Sequence, residues 1–225
     1  MSDSRTRIMG RLKAALDQRH NPTVRFSGAD QRMKFPPLGL IPKRGQAEGP
    51  ARIVMFVDEA EYGHAQVVRL GDLGQVPAAA AKICQEAGAG SLKIAPHPDF
   101  QGLDWSGRDV EFGIGHGDDT AGLSRAFAGV AETGTLVLRS GADSPTTLNF
   151  LPDVHLVVIF AHEIKASYEA VWAMLRAQAP VGGPVLPRTV NWITGPSRTA
   201  DIEQTILLGA HGPRKLMILL IDETA

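Results

Sequence analysis

The stretch that most constrains this chain is Gly195-Pro196-Ser197-Arg198-Thr199-Ala200-Asp201-Ile202-Glu203, with Gly209-Ala210-His211-Gly212-Pro213 as its exit. Apolar runs enclose it. Asn191-Trp192-Ile193-Thr194 leads in, and Leu216-Met217-Ile218-Leu219-Leu220-Ile221 follows. Runs of that length and branched-aliphatic content are those of buried strands. Between them Ile202, Ile206 and Leu208 recur at helical spacing, and Ser197 or Thr199 supplies a cap. Asp201 and Glu203 fall in the first turns, where the helix dipole favours acids, and Gly209 supplies a stop. The expected unit is strand, tight turn, helix, tight turn, strand. A Gly-Pro-Ser-Arg-Thr turn at a strand end offers N–H groups, two hydroxyls and a guanidinium to a ligand. The plainer reading is that Gly195-Pro196 turns the chain and a hydroxyl caps the helix.

Upstream, residues 4–19 carry Ile8, Leu12, Ala15 and Leu16 at helical spacing. Prolines and glycines then break every period across residues 20–50, so this part reads as an irregular segment that covers the domain or reaches a partner. The expected division is residues 1–50 as helix plus Pro/Gly-rich segment and residues 51–225 as one α/β domain. Residues 51–62 suit helix or strand by pattern alone. Ala65–Leu70 reads as a strand, and Pro77 opens a helix whose face is Val76, Ala80, Ile83, Cys84 and Ala87, ended by Gly88. Ser91–Ala95 follows as a short strand, and strand, helix, strand with short loops indicates a parallel crossover. Leu123, Phe127 and Val130 mark a further helix, Val154–Phe160 a buried strand, and Tyr168, Val171, Trp172 and Leu175 a helix face that belongs to the core.

Glu132-Thr133-Gly134-Thr135 is the one place where a carboxylate and two hydroxyls meet at a glycine beside a strand. Glu132 there serves as base, nucleophile or ligand anchor, or else as a solvated acid in a turn. Gly113, Gly115 and Gly117 fall short of a dinucleotide fingerprint, and Asp118-Asp119 beside them would repel a pyrophosphate. His211 either fixes its turn or touches a ligand. Net charge of -1 gives no electrostatic case for nucleic acid, and no apolar run suits membrane insertion or a signal peptide, which points to a cytoplasmic location. Cys84 is the single cysteine, so the chain has neither an internal disulfide nor the thiolates for a cluster. No metal site is expected.

Two motifs carry a resemblance. Ala131-Glu132-Thr133-Gly134-Thr135-Leu136-Val137-Leu138, then Gly195 to Glu203, Gly209 and His211-Gly212-Pro213, resemble in order and spacing the two signatures of the lactate-utilization (LUD) domain family. The likeness covers roughly residues 75–222, and the length suits the family's short C-subunit type. It implies a three-layer αβα fold with a mostly parallel central sheet, of the kind shared by CoA transferases and formyltetrahydrofolate cyclo-ligase. It also implies a subunit of a system that oxidises L-lactate to pyruvate, with a small carboxylate ligand and iron–sulfur clusters on partner subunits. With that likeness, Glu132 becomes the catalytic candidate. Thr133, Gly134, Thr135, Gly195, Pro196, Ser197, Thr199, Asp201, Glu203, His211 and Gly212 become ligand-binding candidates, the two turns forming walls of one pocket. The alternatives are a stand-alone ligase or acyl/CoA-transferase acting on a small carboxylate or folate, and a non-catalytic scaffold subunit.

Overall fold

Strands that are apolar at nearly every position must be covered on both sides, as in a parallel sheet. Val154–Phe160 and Lys215–Ile221 are such strands, and they lie side by side in parallel. The computed structural model describes residues 2–19, 28, 31–35, 39–178, 186–200, 206–208 and 211–222. The chain divides into two units, Met1–Leu40 and Ile41–Ala225. The first contains helix α1 (Ser2–Arg19).

The second unit is built on a six-stranded sheet. Its strands are β1 (Gln66–Leu70), β2 (Leu92–Ile94), β3 (Val110–Phe112), β4 (Ala121–Arg125), β7 (Val154–Phe160) and β12 (Lys215–Ile221), in the order β1-β12-β7-β4-β2-β3. Every pairing within it is parallel. Alternation along β12 sends Met217, Leu219 and Ile221 to one face and Leu216, Ile218 and Leu220 to the other. The first face packs on helix α3 (Val76–Ala87), through Val76, Ala80, Ile83 and Cys84. Pro77 and a left-handed Gly88 bound that helix as the sequence predicts. The Cys84 thiol is buried, and burial pushes its pKa up, which suits an inert packing residue.

The second face packs on helix α2 (Gly49–Tyr62), through Phe56 and Ala60, and on a smaller sheet. That sheet runs β8-β5-β6-β9, from β5 (Ala128–Val130), β6 (Thr135–Arg139), β8 (Ile164–Lys165) and β9 (Val190–Ile193). Its far side carries helix α4 (Tyr168–Ala177), with Val171 and Leu175 against Ala128, Val130 and Val137. The central parallel sheet thus matches expectation, and the second sheet was not anticipated.

Two local expectations are corrected. Leu123, Phe127 and Val130 do not share a helix, because β4 and β5 occupy Ala121–Arg125 and Ala128–Val130. Every residue of both strands is buried, so tertiary cover rather than a single face decides them. Nor does a helix follow Ser197. Arg198–Ala200 (β10) and Ile206–Leu208 (β11) pair antiparallel, Thr199 opposite Leu207. Branched residues at Thr199 and Ile206 suit a pleat as well as a helix face. The lead-in strand, β9, pairs antiparallel with β6 in the smaller sheet and not with β12.

Candidate functional site

The two signature turns meet at one helix end. Gly134 has φ 60°, and a Cβ there would lie 2.1 Å from the Ala60 nitrogen. Gly195 has φ 73°, and its Cβ would lie 2.0 Å from the Gly63 oxygen. Only glycine allows either approach. Arg198 Nη2 donates to the same Gly63 oxygen at 3.3 Å. A hydroxyl cluster joins the turns. Thr135 Oγ1 lies 2.7 Å from Thr133 Oγ1, 3.0 Å from the Tyr168 hydroxyl and 2.7 Å from Thr194 Oγ1.

Among the described residues the turns share this joint, and the cavity at the second turn has no lining residue from the first. Glu132 is buried, and its Oε1 accepts the Tyr168 N–H at 3.2 Å, at the start of α4. Its Oε2 would be 3.0 Å from a Cβ at Gly45. By contrast Gly195, Pro196, Ser197, His211 and Gly212 line one cavity, beside His155 and Leu216 near the amino ends of β7 and β12. Asp201, Glu203 and Gly209 lie outside the described residues, as does the Thr199 side chain.

The opposite edge of the central sheet holds a larger and more polar crevice, of about 490 Å³. Its position follows from the topology. The chain passes from β2 to β3 on one side, and from β4 to β7 on the other. Between β2 and β4 the connections therefore diverge, and open parallel sheets bind ligands outside the carboxyl ends of strands at such a point. His97 and Asp99 follow β2, Arg125 ends β4, and His162 and Glu163 follow β7. Arg139 from the end of β6, Lys165 of β8 and the last turn of α4 complete the wall.

Arg125 is the centre of this arrangement. It is buried, and its planar fork takes both Glu163 oxygens, at 2.6 and 2.7 Å. Its Nε donates to Asp99 at 2.9 Å and Nη1 to the Ala126 carbonyl at 2.6 Å, while the guanidinium lies over the Phe160 ring. Glu163 Oε2 also accepts the Phe160 N–H, which fixes the turn after β7. His97 Nδ1 accepts the Asp99 N–H at 3.2 Å, so a neutral ring carries its proton on Nε2. Burial pushes the His97 pKa below its usual value, although Asp99 pulls the other way. Arg139 is held by Gln178 and lies over Phe127, and Lys165 donates to the His162 carbonyl.

None of the crevice side chains is among the residues the motifs singled out. The signal lay in position rather than in wording. In a parallel sheet the polar residues at, or one to five places beyond, the end of each apolar strand form the site, and this alone selects Arg125, His97, Asp99, His162 and Glu163. Reading 123–130 as a helix hid Arg125.

Comparison with known proteins agrees with this architecture. The LUD domain model matches residues 118–221. An uncharacterized protein of Neisseria meningitidis serogroup B is 41% identical over 101 residues, which are 45% of this chain and 42% of that protein. Lactate utilization protein C of Geobacillus sp. strain WCH70 is 33% identical over 102 residues, and that of Bacillus subtilis 31% over 102, each match covering 45% of this chain and 42% of the relative. The matches thus span under half the length of these curated relatives. A crystal structure of a DUF162 family protein from Deinococcus radiodurans superposes with a TM-score of 0.56 and 23% identity, over 78% of this chain and 99% of that one, a likeness of fold. The segment 118–221, which holds both signature turns and all strands from β4 onward, is thus similar in sequence to the LUD domain family.

Proposed function

We propose that this chain serves in lactate utilization as the component that holds a small 2-hydroxy acid, in the crevice at the carboxyl edge of the central sheet. The observation that carries this is the pairing of two side-chain cations, Arg139 and Lys165, with the neutral imidazole of His97 around one crevice at the divergence of β2 and β4. Arg139 and Lys165 supply charge for a carboxylate. The Nε2–H of His97 donates to the neighbouring hydroxyl oxygen and steadies it as it gains negative charge. Four of the five N–H donors of Arg125 are engaged by Glu163, Asp99 and the Ala126 carbonyl, so its main role here is structural. It stiffens the strand ends that carry the site.

Oxidation of L-lactate to pyruvate releases two electrons, which these side chains cannot accept. With one cysteine the chain lacks the thiolates for a cluster, so the reading assigns iron–sulfur clusters to partner subunits. Binding and orientation are what this chain contributes. The names of the Geobacillus and Bacillus relatives support the link to lactate.

The test has two parts. The tagged chain is recovered from its native host, and co-purifying proteins and iron are identified. Iron-bearing partners are expected, and recovery of the chain alone would overturn the subunit reading. Equilibrium dialysis of the recovered complex with radiolabelled L-lactate then compares Arg139→Leu and Lys165→Leu. Each is expected to weaken binding about tenfold with little change in melting temperature, a loss of the size of one charged hydrogen bond. Unchanged affinity in the double variant would remove lactate from this crevice.

A further inference from the structure

At the amino edge of the central sheet, the smaller cavity of about 200 Å³ has an unusual base. Three buried polar side chains stand in line there. His155 Nε2 lies 3.0 Å from Ser124 Oγ, and Ser124 Oγ lies 3.2 Å from Asn149 Oδ1. The remaining polar atoms of the two end members, His155 Nδ1 and Asn149 Nδ2, have no hydrogen-bond partner. His155 and Asn149 both line the cavity. Buried polar atoms are nearly always matched, so two unmatched ones at one cavity indicate a group that comes from outside the chain.

The chemistry of that group follows from the hydrogen count. Burial pushes the His155 pKa down to about 3, so its ring is neutral at ordinary pH, with one donor and one acceptor nitrogen. If Ser124 donates to Asn149 Oδ1, it must accept from His155 Nε2–H. That leaves Nδ1 as an acceptor and the Asn149 amide N–H as a donor. If the Asn149 amide is turned over, every bond reverses, leaving Nδ1–H as the free donor and the amide oxygen as the free acceptor. In both arrangements these two side chains offer at least one donor and one acceptor. Asp, Glu, Lys and Arg are missing from the described lining residues, whose other polar side chains are Ser197 and His211. The walls are apolar and flat: Phe150, Trp192, Pro196, Pro213 and Leu216.

A carboxylate has only acceptors, so it satisfies only one of the two unmatched atoms. A primary carboxamide carries N–H and C=O on one planar group and satisfies both. We propose that this cavity binds an uncharged carboxamide on a small apolar body, free or as the end of a larger molecule, with the amide on His155 and Asn149 and the body against Trp192 and Pro196. The volume suits a single ring, being below the range of drug-sized sites. The second signature motif then has a ligand role distinct from lactate. Gly195, Pro196, Ser197, His211 and Gly212 shape the wall, and the Ser197 N–H donates to the Pro213 oxygen at 2.8 Å, which ties its two sides together.

Calorimetric titration of the intact protein with benzamide, with benzoate and with toluene tests this. Benzamide is expected to bind saturably at one site, with benzoate and toluene weaker by about tenfold or more, a difference of one or two lost hydrogen bonds. Imidazole ¹⁵N spectra supply a readout that needs no variant. The His155 ring is recognised by staying neutral down to about pH 4, and its nitrogens should shift as benzamide is added. His155→Phe should abolish benzamide binding and leave lactate binding by the native complex unchanged, which separates this site from the crevice. Equal affinity for benzoate, or His155 signals that do not move, would overturn the proposal. So would a crystal structure in which a water stays between His155 Nδ1 and the Asn149 amide at saturating benzamide.

Discussion

Glu132 turns its carboxylate to a backbone N–H at the start of α4, where the helix dipole also favours an acid. Glutamine keeps an acceptor in the same place, whereas alanine leaves the Tyr168 N–H unmatched. Glu132→Ala is therefore expected to cost about 1–2 kcal/mol and Glu132→Gln well under half of that, as read from urea denaturation midpoints. Loss of lactate-dependent growth in Glu132→Gln at unchanged stability and abundance would instead return this carboxylate to a catalytic role. His155 gives a prediction in pH. Its folded pKa of about 3 lies below the usual value near 6.5, so the unfolded chain takes up the proton first as pH falls. The stability it contributes is full above about pH 6.5 and is lost toward pH 3, by up to about 1.4 kcal/mol per pH unit. His97, also pushed down, acts in the same direction. Between pH 6.5 and 5, before carboxylates titrate strongly, His155→Phe should flatten the slope of stability against pH. At this scale the sequence spoke through unusual wording, which selected Glu132. It was silent on Arg125, whose importance lies in two partners far apart in the chain, Asp99 and Glu163.

Elements with one exposed and one buried face were legible, because their periodicity is a property of the chain itself. Helix α3, with its Pro77 start and Gly88 stop, and α4, with Tyr168, Val171, Trp172 and Leu175, lie where the pattern puts them. The buried strands β7 and β12 were legible by length and branching. What failed were segments covered on both sides, β4 and β5, and the hairpin β10–β11, where helical and strand spacing coincide over a few residues. The signature glycines act at the level of element packing. Gly134→Ala and Gly195→Ala each force a Cβ into the backbone of the α2 end and a side-chain-bearing residue into positive φ. Each is expected to destabilise by about 3 kcal/mol or more, measured by thermal or urea unfolding. Thr135→Val keeps the shape and removes the hydroxyl that bonds Thr133, Tyr168 and Thr194, with an expected loss of about 1–3 kcal/mol.

In the whole molecule the central sheet separates two chemistries. Its carboxyl edge bears a crevice of balanced charge, and its amino edge an uncharged cavity behind the second signature turn. The parallel architecture was readable from alternating strand and helix patterns. The smaller sheet was not, since β9 and β6 lie far apart in sequence and neither announces the other. The joint at the end of α2 has a further bearing, on the order in which the protein assembles. Ala60 and Gly63 lie in the first third of the chain, yet they are clasped by Gly134 near its middle and by Gly195 toward its end. Closing so long a loop is entropically slow, so this clasp is a late event in folding. A chain still emerging from the ribosome can form α2, α3 and the first strands. The Gly195 side of the clasp, and the amino-edge cavity beside it, form only after the second signature has been synthesised.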